Sequence, residues 1–272
     1  PGTWPAWTLR LRQQNAGRIV FVKRRRRIQD SRLLPQASTS AVPFLFFGVF
    51  LALIVIIALV GHAQAKARRE RFAAFAAERG WHYSAVTESG LEDRYPELDL
   101  FRRGSNRYAR NFLTGSASWH ALTAFDYHYQ TSSGSGKHRH TQHHRFTVIM
   151  LQPGFPLKPL AIRGEQVFDR LTAAFGWDDI DFESAEFSSR YHVSSPDRRW
   201  AFDVITARTM AFLLDREAGS MQMDHVRLML PLRQVSDPSE ILPACDTAAG
   251  LLDGIPEYAR TASPSLLPPP LP

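Results

Sequence analysis

Ala41–Gly61, AVPFLFFGVFLALIVIIALVG, decides the fold, because it runs for 21 residues without a charged or amide side chain. As a helix rising about 1.5 Å per residue, it reaches about 31 Å, which matches the roughly 30 Å hydrocarbon core of a bilayer. Buried helices of soluble proteins seldom stay this long without a polar residue. The stretch therefore predicts a single transmembrane helix over residues 41–62, with the lipid bilayer as its partner.

This helix divides the rest of the chain into three predicted regions. Residues 1–40 form a basic, disordered leader, residues 63–260 a soluble α+β domain, and residues 261–272 a proline-rich tail without a core. A helix–Gly–Trp–strand pattern occurs at Gly80-Trp81 and again at Gly176-Trp177. The recurrence suggests that the domain consists of two related halves, about 63–163 and 164–260.

Alternation of apolar residues predicts a β-rich domain. Trp119–Tyr129 is the clearest strand, and Phe146–Leu151 is its expected hairpin partner, with a long polar loop at Gln130–Arg145 between them. Leu98–Phe101 also reads as extended. The predicted fold class is α+β, an antiparallel sheet with flanking helices, preceded by the single transmembrane helix.

The net charge of +7 is located in the leader. Residues 1–40 hold nine Lys or Arg and one Asp, which leaves −1 for the remainder of the chain. The domain therefore has no global electrostatic reason to bind a polyanion, and nucleic acid is not a predicted partner. The basic residues beside the helix either orient it or contact anionic lipid; the candidates for lipid contact are Arg24, Arg25, Arg26, Arg27, Arg68 and Arg69.

Positive charges do not by themselves decide the orientation, because six lie close to the helix on its amino side and five on its carboxyl side. If the leader is discounted, the carboxyl side carries the excess, so we predict a cytoplasmic domain. A secretory signal peptide is the alternative, since Ala63-Gln64-Ala65 has the small-x-small form of a cleavage site. The apolar run Phe44–Val60 is longer than the ~7–15 residues of a usual signal core, which favours the anchor.

Histidines supply the one candidate constellation for chemistry. Six of the ten fall between positions 120 and 144. A metal-binding function would use ligands in the 126–144 hairpin, and the candidates are Asp126, His128, His138, His140, His143 and His144. Their spacing matches no structural zinc motif, so we predict no metal site and keep metal binding as an alternative.

Catalytic and cofactor motifs are absent from the sequence. It contains no G-x-S-x-G, no H-E-x-x-H and no G-x-G-x-x-G. The single cysteine, Cys245, excludes an intrachain disulfide and reads as a small core residue. We therefore predict neither an enzymatic activity nor a cofactor.

Asp179–Leu214, DIDFESAEFSSRYHVSSPDRRWAFDVITARTMAFLL, resembles a family of uncharacterised bacterial membrane-anchored proteins. The likeness is carried by Glu186-Phe187, Tyr191–Val193, Ser195-Pro196-Asp197 and the Ile205-Thr206 pair before a helix that contains Met210. Members of that family join one or two membrane helices to an α+β domain of unknown function. The resemblance implies a membrane-anchored, non-enzymatic binding or assembly module and transfers no functional residue.

Overall fold

A computed structural model describes residues 41–134, 138–164 and 177–260, with side chains from Phe44 onward. The predicted leader and tail, and a helix that the sequence predicts at 165–175, lie outside these residues. The chain divides into two units at Ile56, so that the apolar residues 41–56 belong to the first and everything from Ile57 to the second. The domain boundaries drawn from the sequence stay predictions.

The described helices and strands alternate along the chain. The helices are α1 (Ala41–Glu78), α2 (Leu91–Arg94), α3 (Asp99–Arg102), α4 (Ala185–Arg190), α5 (Arg198–Val204), α6 (Ala207–Asp215), α7 (Leu242–Asp253) and α8 (Glu257–Arg260), with a 3-10 turn at Pro238–Ile241. The strands are β1 (His82–Glu88), β2 (Ser105–Ala117), β3 (His120–Ser133), β4 (His140–Gln152), β5 (Leu160–Gly164), β6 (Tyr191–Ser194), β7 (Met221–Met223) and β8 (Leu228–Arg233).

All eight strands form one sheet in the order β1-β2-β3-β4-β8-β7-β5-β6, and every neighbouring pair is antiparallel. With helices on its faces and the long apolar helix before it, this sheet confirms the predicted fold class. Strand β8 inserts beside β4, although β5, α4, β6, α5, α6 and β7 separate them in the sequence.

The central part of the sheet is buried on both faces, since β3 and β4 direct apolar side chains to each of them. Leu122, Ala124, Ile149 and Leu151 pack with α1, α5, α6 and α7 in the larger cluster. Phe125, Tyr127, Phe146 and Val148 pack with the α2–α3 segment in the smaller one. We call these the α1 face and the α2 face.

Two sequence predictions of local structure are wrong. The predicted loop Gln130–Arg145 is mostly strand, since β3 and β4 stay paired out to Ser133 and His140. Backbone pairing continues there without burial, and hydrophobic alternation gives no signal for such solvent-exposed strands. Leu98–Phe101 is not extended but largely helical, because α3 folds its Leu and Phe onto the α2 face.

Helix α1 begins within the predicted transmembrane stretch and is the one described helix long and apolar enough to cross a membrane. Its most apolar window has a mean hydropathy of 3.1 and no buried residue. The large hydrophobic side chains of Phe44–Val60 are all exposed. Further along the same helix, Phe72, Phe75 and Ala76 are buried in the domain core.

Candidate functional site

A buried ion pair connects α1 to the sheet. The guanidinium of Arg68 donates to both carboxylate oxygens of Asp126 on β3, from Nη2 to Oδ1 at 2.8 Å and from Nε to Oδ2 at 3.1 Å. Its Nη1 donates to the carbonyl oxygen of Val235 at 2.6 Å. The Asp126 side chain is 3% exposed and that of Arg68 16%. This bidentate geometry is the strong form of a carboxylate–guanidinium pair.

Neighbouring strands orient the carboxylate. Asn111 on β2 donates to Oδ2 at 2.8 Å, and Thr147 on β4 donates to Oδ1 at 3.2 Å. Asn111 lies where the register of β2 shifts, with φ of 56°, a conformation that Asn tolerates better than most residues. Its Oδ1 accepts the hydroxyl of Tyr83 on β1 at 3.0 Å. These contacts connect four strands, β1 to β4, and one helix, α1, at a single point.

This junction, which we define as Arg68, Asp126, Asn111, Thr147 and Tyr83, was missed by sequence reasoning. The sequence placed Arg68 among lipid contacts and Asp126 among metal ligands. A charged residue inside the apolar alternation of β3 was the available signal, but its partner lies on another element. The lipid-contact prediction stays a prediction; Arg69 is exposed, whereas the Arg68 guanidinium is committed to Asp126.

The candidate histidines are distributed over two faces of the β3–β4 hairpin. On the α1 face, His128 Nε2 lies 3.1 Å from His143 Nδ1, while His128 Nδ1 lies 3.2 Å from the carbonyl oxygen of Asn106. The His128 ring stacks on Tyr108, with centroids 4.6 Å apart. Burial lowers the pKa of His128 below its ordinary value. The two rings thus form a hydrogen-bonded contact between β3 and β4.

On the opposite face, His144 stacks on Tyr129 and meets the hydroxyl of Thr131 at 2.9 Å. Burial, and then the neighbouring His143, lower the pKa of His144. His140 pairs with Ser133 at the start of β4, and His138 lies in the connection before it. Among the described residues, no group of three or more His, Cys, Asp or Glu could hold a metal ion. The metal-binding alternative therefore gains no support.

A pocket of about 410 Å³ opens on the α2 face, beyond the segment that α2 and α3 cover. Its floor is formed by Ala121 and Thr123 of β3 and Met150 of β4. Tyr95, after α2, forms one wall, and Arg227, just before β8, is the cation that lines it. Its volume falls in the ~300–1,000 Å³ range of small-molecule sites. No motif in the sequence marks this pocket, because its residues come from distant segments.

Comparison with known proteins shows a similar fold. No family model matches the chain, and no curated protein is similar to it; the family resemblance of Asp179–Leu214 therefore stays a prediction. Among solved structures, the chain is similar to the crystal structure of the mycobacterial trehalose monomycolate transport factor A, with a TM-score of 0.50 and 15% sequence identity. The match covers 69% of this chain and 96% of that chain. At this identity the likeness shows a shared fold.

Proposed function

We propose that the chain is a single-pass membrane protein whose α+β domain is a non-enzymatic binding or assembly module at the membrane surface. One observation carries the proposal: α1 contains both the exposed apolar stretch Phe44–Val60 and core residues of the domain. Arg68 follows Val60 by eight positions, about 12 Å along a helix. The same helix therefore supplies lipid-compatible residues in its first part and core residues of the domain in its last part.

The structural neighbour is compatible with this role, since that protein is named a transport factor. The proposed activity of the present chain is to hold a partner or ligand near the bilayer. The pocket on the α2 face is the concave surface on which a ligand would bind.

Insertion of α1 into a membrane is tested by alkaline extraction of membranes that contain the full chain. Replacing Ile54 and Ile57 by Lys places two charges in the apolar stretch, at a cost of about 2.5–3.5 kcal/mol each near the bilayer centre. The matched control replaces both by Ala. We expect the wild type and the Ala variant in the membrane pellet and the Lys variant in the supernatant. Recovery of all three chains in the supernatant would mean that α1 does not span the membrane.

We further propose that the domain faces the cytoplasm, since Lys66, Arg69 and Arg71 are exposed on α1 beyond the apolar stretch. A carboxyl-terminal reporter that works on one side of the membrane tests this. Activity on the far side would reverse the orientation and leave the anchor intact.

We propose that Arg24–Arg27 and Arg69 contact anionic lipid. Arg68 is left out of this proposal because its guanidinium donates to the carboxylate of Asp126. Lipid analysis of the purified full chain tests this contact. We expect less co-purifying anionic lipid after replacement of Arg24–Arg27 or Arg69 by Gln. Unchanged lipid content in both variants would remove this part of the proposal.

A further inference from the structure

Arg227 is a largely buried cation with few partners. Its side chain is 14% exposed, and its guanidinium carbon lies 5.0 Å from the centroid of the Tyr95 ring. Its one carboxylate contact joins Nη1 to Asp224 Oδ2 at 3.8 Å, which is longer than a hydrogen bond. Within the described part of the chain, its side chain has no hydrogen bond. Its guanidinium therefore has donors open to the pocket, and an anion is the partner that such donors favour.

Asp224 does not meet that need, because it serves the turn before β8. Its Oδ1 accepts the backbone N–H groups of Val226 and Arg227, at 2.6 and 2.5 Å. The backbone N–H of Asp224 in turn donates to the carbonyl oxygen of Arg227 at 3.0 Å. The turn fixes the backbone at Arg227, and the Tyr95 ring lies against its guanidinium in the absence of a ligand.

The remainder of the pocket is suited to an apolar chain. The β4–β8 register pairs Leu151 with Leu228, so Gln152 and Arg227 occupy the next row, and Ala121 pairs with Gln152 on β3. Thr123 and Met150 form the following row. Small or flexible side chains therefore extend across the floor from the cation. Such a surface can contact the apolar chain of a molecule that carries its charge at one end.

We infer that this pocket binds a single-chain amphiphile with an anionic head, the head paired with Arg227 and the chain lying over Ala121, Thr123 and Met150. This assignment names the ligand class of the proposed binding function and rests on that function. Carboxylate and phosphate heads share the chemistry, since the planar guanidinium pairs with either through two N–H groups.

The test uses the full chain in nanodiscs of zwitterionic lipid, with methionine methyl groups labelled with ¹³C. Five methionines give five methyl resonances, of which Met150 reports from the pocket floor and Met210 from α6 on the other face. Laurate, dodecyl phosphate and dodecanol are titrated at the same lipid concentration. We expect saturable shifts of the Met150 resonance with the anions, and the tighter of the two anions identifies the preferred head group.

Arg227→Gln should weaken binding of the anions about tenfold or more and that of dodecanol less than about threefold. The matched control is Arg233→Gln, which changes an exposed arginine at the far end of β8 and should alter binding of neither the anions nor dodecanol. An unmoved Met210 resonance shows that the fold is intact. Ala121→Phe, at an exposed floor position, should abolish all three titrations and provides the test if Arg227→Gln does not fold.

An unshifted Met150 resonance, or equal loss of anion and dodecanol binding in Arg227→Gln, would overturn the inference. If Arg227→Gln does not fold, unchanged titrations in Ala121→Phe would overturn it. These outcomes are independent of alkaline extraction, so a failure of the ligand assignment is distinguishable from a failure of the anchor.

Discussion

Replacing Arg68 by Met should destabilise the domain by about 3 kcal/mol. The change removes both guanidinium bonds to Asp126 and leaves a 3%-exposed carboxylate with Asn111 and Thr147 as its donors. Removing one partner of a buried pair costs about 3–5 kcal/mol, because the remaining charge stays desolvated. Arg68 is 16% exposed, so water can reach part of the vacated space, which favours the lower value. Met keeps the aliphatic stem but also removes the guanidinium that lies over the Phe72 ring, with Cζ 4.4 Å from the ring centroid.

The assay is pulse proteolysis of the full chain across a urea series in nonionic detergent, which measures the unfolded fraction. A loss of about 3 kcal/mol raises the unfolding equilibrium constant roughly 150-fold. Arg69→Met is the matched control, because Arg69 is the exposed neighbour on the same helix and its loss should cost no more than about 0.5 kcal/mol. If the Arg68 and Arg69 variants lose the same stability, the junction does not couple α1 to the sheet.

A double-mutant cycle separates the pair from its surroundings. In Arg68→Met with Asp126→Asn no charge remains buried, so the double variant should lose less stability than the two single variants together. Strict additivity would contradict a direct coupling between the two side chains.

Three further predictions concern single sites. Because burial lowers the pKa of His128 in the folded chain, the unfolded chain binds more protons below about pH 6.5, and the free energy of unfolding should fall as the pH drops from 7 to 5. In the urea series, His128→Gln should reduce the pH dependence of the unfolding midpoint. An unchanged pH dependence would contradict this prediction. Gly104→Ala should lower the free energy of unfolding by at least about 1–2 kcal/mol, because φ is +59° and a Cβ would meet the backbone oxygen of Gln130. The control is Gly219→Ala, where a Cβ would have open space. Equal losses of stability in the two variants would refute this prediction. Burial raises the pKa of the Cys245 thiol to about 12, so the thiol should react with iodoacetamide in urea and not in the folded chain. Intact mass measures the labelling. Fast labelling of the folded chain would contradict this prediction.

The sequence was sufficient for the helix and for the faces of the central strands, because both follow from local periodicity. The apolar stretch gave α1, and the alternation in Trp119–Tyr129 put Phe125 and Tyr127 opposite Leu122 and Ala124, as the two clusters have them. The length of the hairpin was underestimated, since its outer half has polar side chains on both faces.

Side-chain contacts between segments that are distant in the sequence could not be predicted from the sequence. Alternation predicts that a residue is buried, but it does not predict what covers it. Arg68 with Asp126, and Arg227 with Tyr95, each join segments that only the sheet order brings together. Both the junction and the pocket therefore required the structure. The candidate metal ligands were chosen because they lie close together in the sequence, and the structure divides them between two faces.

The most direct test of the membrane-anchored account is the intact mass of the chain recovered from alkaline-washed membranes. We expect the washed pellet to contain a chain that retains residues 41–62 together with the domain. A soluble chain beginning near Lys66 would contradict it and would identify the apolar stretch as a signal peptide cleaved after Ala65.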